Sequence, residues 1–335
     1  MKHPIFIFCI ILIPFIAMGQ REKENAVWIT AEYEQLIEKA DSLYRNKEYL
    51  KSAQAFSKAF TLFNNKGTVN DRYNAACSWA LAGNKDSAFY NLFKVSETGQ
   101  YTNLTHILND SDLNSLHSDK RWNRVVSSIK FTKQKEEKNF DKALVKKLDA
   151  IFNEDQKYRM QLDSISNKFG FDSEEVKKQW QKIAYHDSIN LITIKNILDS
   201  RGWPGPDIIG EQGNLTLFLV IQHADKATRQ QYLPMIREAV KKGNANPSDL
   251  ALMEDRAAME DGKRQIYGSQ LMSDNNGSYF VVPVEDPDNL DKRRKSVGLP
   301  PMQEYLNHWN LKWDVEEYKK KLPEVEEYLK NVKFR

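Results

Sequence analysis

Apolar residues recur at helical spacing through most of the chain, and in the first half the same order of positions appears twice. Leu36, Ala40 and Leu43 mark one helix, and Tyr49, Ser52, Phe56 and Ala59 mark a second. Ala76 and Trp79 mark a third, and Gly83, Ala88, Leu92 and Val95 follow. Ala40 and Ala76, Ser52 and Ala88, Phe56 and Leu92, and Ala59 and Val95 are each 36 positions apart. Small residues let two helices approach closely and large ones fill the groove to the next pair, so the pattern predicts stacked helical hairpins. Tyr73, Trp79, Phe89 and Tyr90 are expected in their core. Asp110-Ser111-Asp112-Leu113 and Leu116 through Val126 read as a closing segment. The polar stretch KFTKQKEEKNFD at 130–141 reads as a linker or a solvated helical connection, with a boundary near Lys138.

The second half is also mainly helical. Leu144, Leu148, Ile151 and Phe152 form a helical stripe that continues to Arg159. Asp172-Ser173-Glu174-Glu175 is a helix start, and the helix runs past Ile197 until Gly202-Trp203-Pro204-Gly205-Pro206 stops it. Further helices are expected at about 214–222, at 226–242 before Gly243, and from Pro247 to about Asp261. Strand character covers 265–272 and 278–284 around Asn275-Asn276-Gly277, a hairpin signal. A last helical stretch begins after Pro300-Pro301. The expected fold is thus mainly α: helical hairpins, then an α-rich domain with a small β-hairpin.

Three features outside this pattern change the picture. Lys2 and His3 precede an apolar run from Ile5 to Ala17, and Ala17-Met18-Gly19 places small residues before Gln20. That is the form of a secretory leader at 1–19, too short for a comfortable membrane span. The division that follows is a repeat module with its cap at 28–129, the linker at 130–141 and the α-rich domain at 142–335. Export to the periplasm or the medium is expected, with no span left after leader removal. Cys77 is then the only thiol, so neither an intrachain disulfide nor a multi-cysteine metal site is expected, and its small-residue surroundings suit a buried hydrophobe. Net charge is only +3, with 28% charged residues of both signs interspersed, which argues against nucleic acid as a partner.

The hairpin pattern resembles tetratricopeptide repeats, with the linker around Asn64-Asn65-Lys66-Gly67 lengthening the period. The resemblance implies a protein or peptide partner gripped by the repeats. A second resemblance rests on an ordered series: Asp155-Gln156-x-x-Arg159, Gly202-Trp203-Pro204, Gln222-His223-Ala224-Asp225, Asp255-Arg256, Gly262-x-x-Gln265-x-Tyr267-Gly268-x-Gln270 and Arg293-Arg294-x-x-x-Gly298-Leu299. It is similar to a family of bacterial domains of unknown function, often exported, and covers about Leu144 to Tyr305.

Several of these polar residues end apolar runs, where a buried polar group must find a partner or serve a site. His223, Asp225 and Asp255 are the candidates for proton transfer. Asp155, Gln156, Arg159, His223, Arg256, Gln265, Tyr267, Gln270 and Arg294 are the candidates for ligand binding, with an arginine meeting a small anionic group. If 265–270 is a strand, Gln265, Tyr267 and Ser269 share one face. His223, Asp225, Asp255, Arg256, Gln265, Tyr267 and Gln270 are expected to converge. The same set also suits a structural network of a capping aspartate, a buried Asp–Arg pair and amides bonded to backbone. Zinc-binding histidine pairs, a nucleophile elbow and a phosphate loop are absent, and no metal or cofactor is expected. His186, on a long amphipathic helix, reads as a surface or satisfied histidine. The expected role is an exported binding or scaffold protein whose second domain holds a small or peptide ligand. The alternative is a hydrolase-like envelope enzyme with His223 as general acid or base.

Overall fold

The computed structural model describes residues 30–274 and 278–330. The expected leader and the Asn275-Asn276-Gly277 turn lie outside the described residues. Among the described residues the chain is mainly α-helical with one two-stranded antiparallel sheet, and it divides into two compact units between Asn139 and Phe140.

The first unit opens with two helical hairpins, α1 (Ala31–Arg45) with α2 (Tyr49–Leu62) and α3 (Val69–Leu81) with α4 (Lys85–Phe93). Thr30 caps α1 by accepting from the Tyr33 amide, and Thr68 caps α3 by accepting from the Asp71 amide at 3.0 Å. All eight residues of the 36-position offset are fully buried. Polar contacts tie the hairpins together. Ser52 and Ser78 share a hydrogen bond of 3.0 Å, and the Tyr33 hydroxyl donates to Asp71 at 2.7 Å. The Arg72 guanidinium lies over the Phe60 ring, 3.8 Å from its centroid, and donates to Asn91. Tyr73 and Phe89 are core residues and Trp79 packs on the core, but Tyr90 is exposed. The reason is phase: Tyr90 follows Phe89 by one residue, and a helix turns about 100° per residue, away from the buried stripe. Cys77 is buried. The chain continues through α5 (Leu104–Asn109), a 3₁₀ turn at Ser111–Leu116 and α6 (Lys120–Glu136). Thus residues 130–136 prolong a helix.

The second unit is built on α7 (Lys142–Arg159), α9 (Glu174–Arg201) and α10 (Pro206–His223), with the short α8 (Leu162–Phe169) between the first two. Asp141 caps α7 and Ser173 caps α9. Gly202 ends α9 at φ 70°, a conformation that favours glycine. Helix α10 starts earlier than the apolar run suggests. Pro206 supplies a preset first turn, and Gly210 at φ 70° breaks the helical geometry before the Leu217–Ile221 run, which is buried throughout. Contacts between helix ends fix directions. Asp141 meets Ile208 and Arg201, whereas Asp155 meets His223 and Arg159 reaches Asp187. Helices α7 and α10 therefore run parallel and α9 runs against both.

Helices α11 (Lys226–Lys241) and α12 (Pro247–Glu260) pack as a pair. The strands are shorter than their sequence suggests: β1 (Leu271–Ser273) pairs with β2 (Tyr279–Val281) in the register Leu271–Val281, Met272–Phe280 and Ser273–Tyr279. Residues 265–270 form a loop, joined to Val284 by a single bridge at Gln265. Gly268 at φ 64° breaks the extended path, so the expected strand alternation of Gln265, Tyr267 and Ser269 does not exist. The chain closes with α13 (Leu290–Ser296), α14 (Met302–Leu306) and α15 (Val315–Lys330). Among the described residues no helix is long and apolar enough to cross a membrane.

Candidate functional site

The polar residues that end the apolar runs divide into two clusters. One of them centres on His223. It lies where α7, α9 and α10 meet. His223, at the end of α10, places Nδ1 3.0 Å from Oδ1 of Asp155. An ionised carboxylate only accepts, so Nδ1 carries the proton and Nε2 bears the lone pair in the neutral ring. Gln156 donates to the other Asp155 oxygen at 2.6 Å. Arg159, one turn along α7, donates to the Asp155 carbonyl and lies 3.4 Å from its carboxylate. The same guanidinium grips both oxygens of Asp187 on α9, at 2.9 and 2.7 Å, the bidentate geometry suited to arginine. Burial alone would raise the Asp155 carboxyl. His223, Arg159 and Gln156 together outweigh it and hold the group below the usual aspartate range.

The end of α10 is closed from behind by two arginines. Arg256 Nη1 donates to the Gln222 carbonyl at 2.8 Å, and Arg229 donates to the Ala224 carbonyl. Both guanidiniums meet the buried Glu260. Cations there satisfy carbonyls that the last helical turn leaves open and match the negative end of its dipole. Burial, followed by repulsion from Arg229, pushes the Arg256 guanidinium down to about 10 despite Glu260. Two buried atoms of this region, Gln222 Oε1 and Arg229 Nε, find no protein hydrogen-bond partner.

The second cluster is a clamp on the loop at 265–270. The Asp255 carboxylate accepts from the amides of Ile266 (2.7 Å), Tyr267 (3.0 and 3.2 Å) and Ser269 (2.9 Å). The Gln265 side chain donates to the carbonyls of Gln270 and Val282 and accepts from the Gln270 amide. Gln270 donates to Ser269, and Arg294 donates to the carbonyls of Tyr267 and Pro300. Burial raises the Asp255 carboxyl, and the amides at Ser269, Tyr267 and Ile266 pull it back only in part.

The sequence-based candidates therefore part company. Asp155, Gln156, Arg159 and His223 come together, with Arg256 behind them. Asp255, Gln265, Gln270 and Arg294 hold backbone, and Tyr267 contributes its amide and carbonyl to that clamp. The expected convergence of His223 with Asp255, Gln265, Tyr267 and Gln270 is replaced by two networks. Asp255 and Arg256 are neighbours on α12, and successive helical residues point about 100° apart, so one faces the loop and the other faces α10. Asp225 is exposed and caps α11, accepting from the Thr228 amide at 2.7 Å. Among the described residues the hydrogen-bond partner of the His223 ring is Asp155. His186 stacks on Tyr158 and lies 3.3 Å from Glu154.

Asp187, Arg229 and Glu260 are members of the His223 region that the motifs do not reveal. A signal for Asp187 exists: it falls in phase with Ile183, Asn190 and Ile194, a charged position on a buried helical face. Arg229 and Glu260 each lie in a polar stretch at one end of a helix, where nothing in the pattern marks burial.

Residues 142–318 match the profile of a family of unknown function, DUF6624, over more than half of the chain. The chain belongs to the DUF6624 family. No curated protein and no solved structure matches it. The DUF6624 match begins at the first residue of α7 and ends within α15, so it contains both the His223 cluster and the loop clamp.

Asp155, Asp187 and His223 offer potential metal-ligand atoms within 4.8 Å of one another. Arg159 already occupies both Asp187 oxygens, so a cation would have to displace a guanidinium of the same sign. Cys77, Asp110 and Asp112 form a similar group. There the Tyr73 and Tyr44 hydroxyls donate to the carboxylates, and burial, aided by the two aspartates, pushes the Cys77 thiol well up, keeping it protonated. A half-open groove lies elsewhere in this unit, lined by Met259, Lys263, Arg264, Val282, Leu329 and Lys330. It shares no lining residue with the His223 cluster, and the Arg264–Glu326 ion pair on its lining is exposed. The His223 cluster is the stronger candidate because its groups are buried, fixed and chemically matched.

Proposed function

We propose that the chain is an exported binding or scaffold protein with two working parts. The helical hairpins of residues 31–93, similar in pattern to tetratricopeptide repeats, hold a protein or peptide partner. The DUF6624 domain binds a small polar or anionic ligand at the end of α10. One observation carries the second part. Asp155 fixes the His223 ring through Nδ1, and Nε2 makes no hydrogen bond to any described residue. A ring oriented from one side by a buried carboxylate has its other nitrogen ready to accept from, or share a proton with, a bound group. The leader read from the sequence supports the exported location.

Native mass spectrometry of protein recovered from the envelope tests this reading. Wild-type protein is expected to carry a bound small molecule that His223→Phe loses while circular dichroism shows the variant still folded, its melting temperature lowered by the loss of the Asp155 partner. The absence of any bound mass from wild-type, or its retention by the variant, counts against the site. The same aspartate–histidine pair favours a second reading, a hydrolase-like enzyme with His223 as general base. In that case turnover, and not occupancy alone, depends on the variant.

A further inference from the structure

Helix α9 carries two apolar faces, and only one is used within the domain. Ile183, Ile194 and Ile197 face inward and are buried. On the outer side Tyr185, Ile189 and Ile192 are 63%, 44% and 64% exposed. They belong to a longer exposed stripe that starts at Lys178 and Lys182 and ends at Asn196 and Asp199. The intervals between successive members, from 178 to 199, alternate four, three, four, three, four, three. That is the heptad spacing of a coiled-coil seam, where knobs of one helix enter holes of another. The stripe is about 32 Å long at 1.5 Å per residue.

Charge decides what fits it. The seam is basic at its start, apolar in its middle and acidic at its end. We propose that a second copy of this chain packs there, with its α9 antiparallel to the first. A two-fold axis midway between Ile189 and Ile192 places Ile189 against Ile192 of the other copy, Tyr185 against Asn196, and Lys182 against Asp199. Every such pair joins one seam class to the other, as antiparallel packing requires, and the two-fold makes each pair twice. Parallel packing would instead stack Lys178 and Lys182 on their own copies and Asp199 on Asp199, like charge on like charge. Lys182 forms no ion pair among the described residues, and Asp199, which accepts from Tyr232, remains exposed. The pairing is separate from the His223 cluster, which uses the inward face of the same helix.

The test is sedimentation of the full chain without its leader. Wild-type protein is expected to have twice the monomer mass. Ile189→Lys with Ile192→Lys is expected to give monomers with unchanged circular dichroism and melting temperature, because both side chains are exposed. Lys182→Glu should weaken the dimer about tenfold, from the loss of two opposite-charge contacts. Adding Asp199→Lys should restore it, with circular dichroism confirming that the exchange leaves the domain folded. Lys178→Cys should form no disulfide with its own copy on oxidation, since antiparallel pairing holds those positions at opposite ends. A monomeric wild-type chain, a dimer indifferent to the isoleucine changes, or a self-linked Lys178→Cys chain would each overturn the proposal.

Discussion

Replacing Asp255 with alanine isolates the loop clamp from the His223 cluster. The carboxylate is fully buried and is the acceptor for three amides, those of Ile266, Tyr267 and Ser269. Alanine leaves all three without a partner in a region where water has little access. Each stranded amide costs about 1–3 kcal/mol, so the gross loss is about 3–9 kcal/mol. Removing a buried carboxylate returns part of this, because burial raises its carboxyl and so disfavours the charged form. The net expectation is a loss of about 3–6 kcal/mol, comparable with the whole stability of many domains. Asp255→Asn keeps one oxygen but turns an N–H₂ towards the amides, and should cost about half as much. Urea unfolding followed by fluorescence reports the second unit through Trp180, Trp203, Trp309 and Trp313, and hydrogen exchange at 265–270 localises the change. The sign of the pH effect is a further check. With its folded value raised, Asp255 contributes less as pH climbs from the usual aspartate value through the folded one, and Asp255→Asn should flatten that window. A destabilisation by Asp255→Ala below about 1 kcal/mol, the range of an ordinary surface change, would refute the clamp.

Two further outcomes follow from the same geometry. The Asp155 carboxyl is lowered in the fold, so its contribution is fully present above the usual aspartate value of 3.8 and is lost as pH falls through the folded value. Asp155→Asn should therefore reduce stability at neutral pH and blunt the acid-side decline in a melting-temperature profile; an unchanged profile would show that the pair with His223 carries no net energy. Ala76→Trp should destabilise the first unit by at least about 1–3 kcal/mol, because Ala76 is fully buried between helices. An unaltered thermal midpoint for that unit would contradict the close packing of the hairpins.

What the sequence determined by itself is what depends on period and local chemistry. The helical spacing of apolar residues specified a mainly α fold, because burying one stripe of a helix requires only that its spacing match 3.6 residues per turn. The 36-residue offset picked out eight positions that are all buried, since packing of equivalent helix pairs places equivalent residues inside. Caps such as Ser173 and terminators such as Gly202 and Gly243 were legible because each acts within a few residues of chain.

Tertiary structure decided the partners. Nothing local says that Asp155 meets His223, 68 residues away, or that Arg159 reaches Asp187 across two helices. It also decided the loop at 265–270, whose residues alternate like a strand. A buried carboxylate on another element captured three of its amides, and Gly268 admitted the turn, so the ladder those amides would have made never forms. Asp225 and Asp255 look equivalent as acidic residues that end apolar runs. One is an exposed cap and the other is buried beneath a loop, because their helices meet different neighbours.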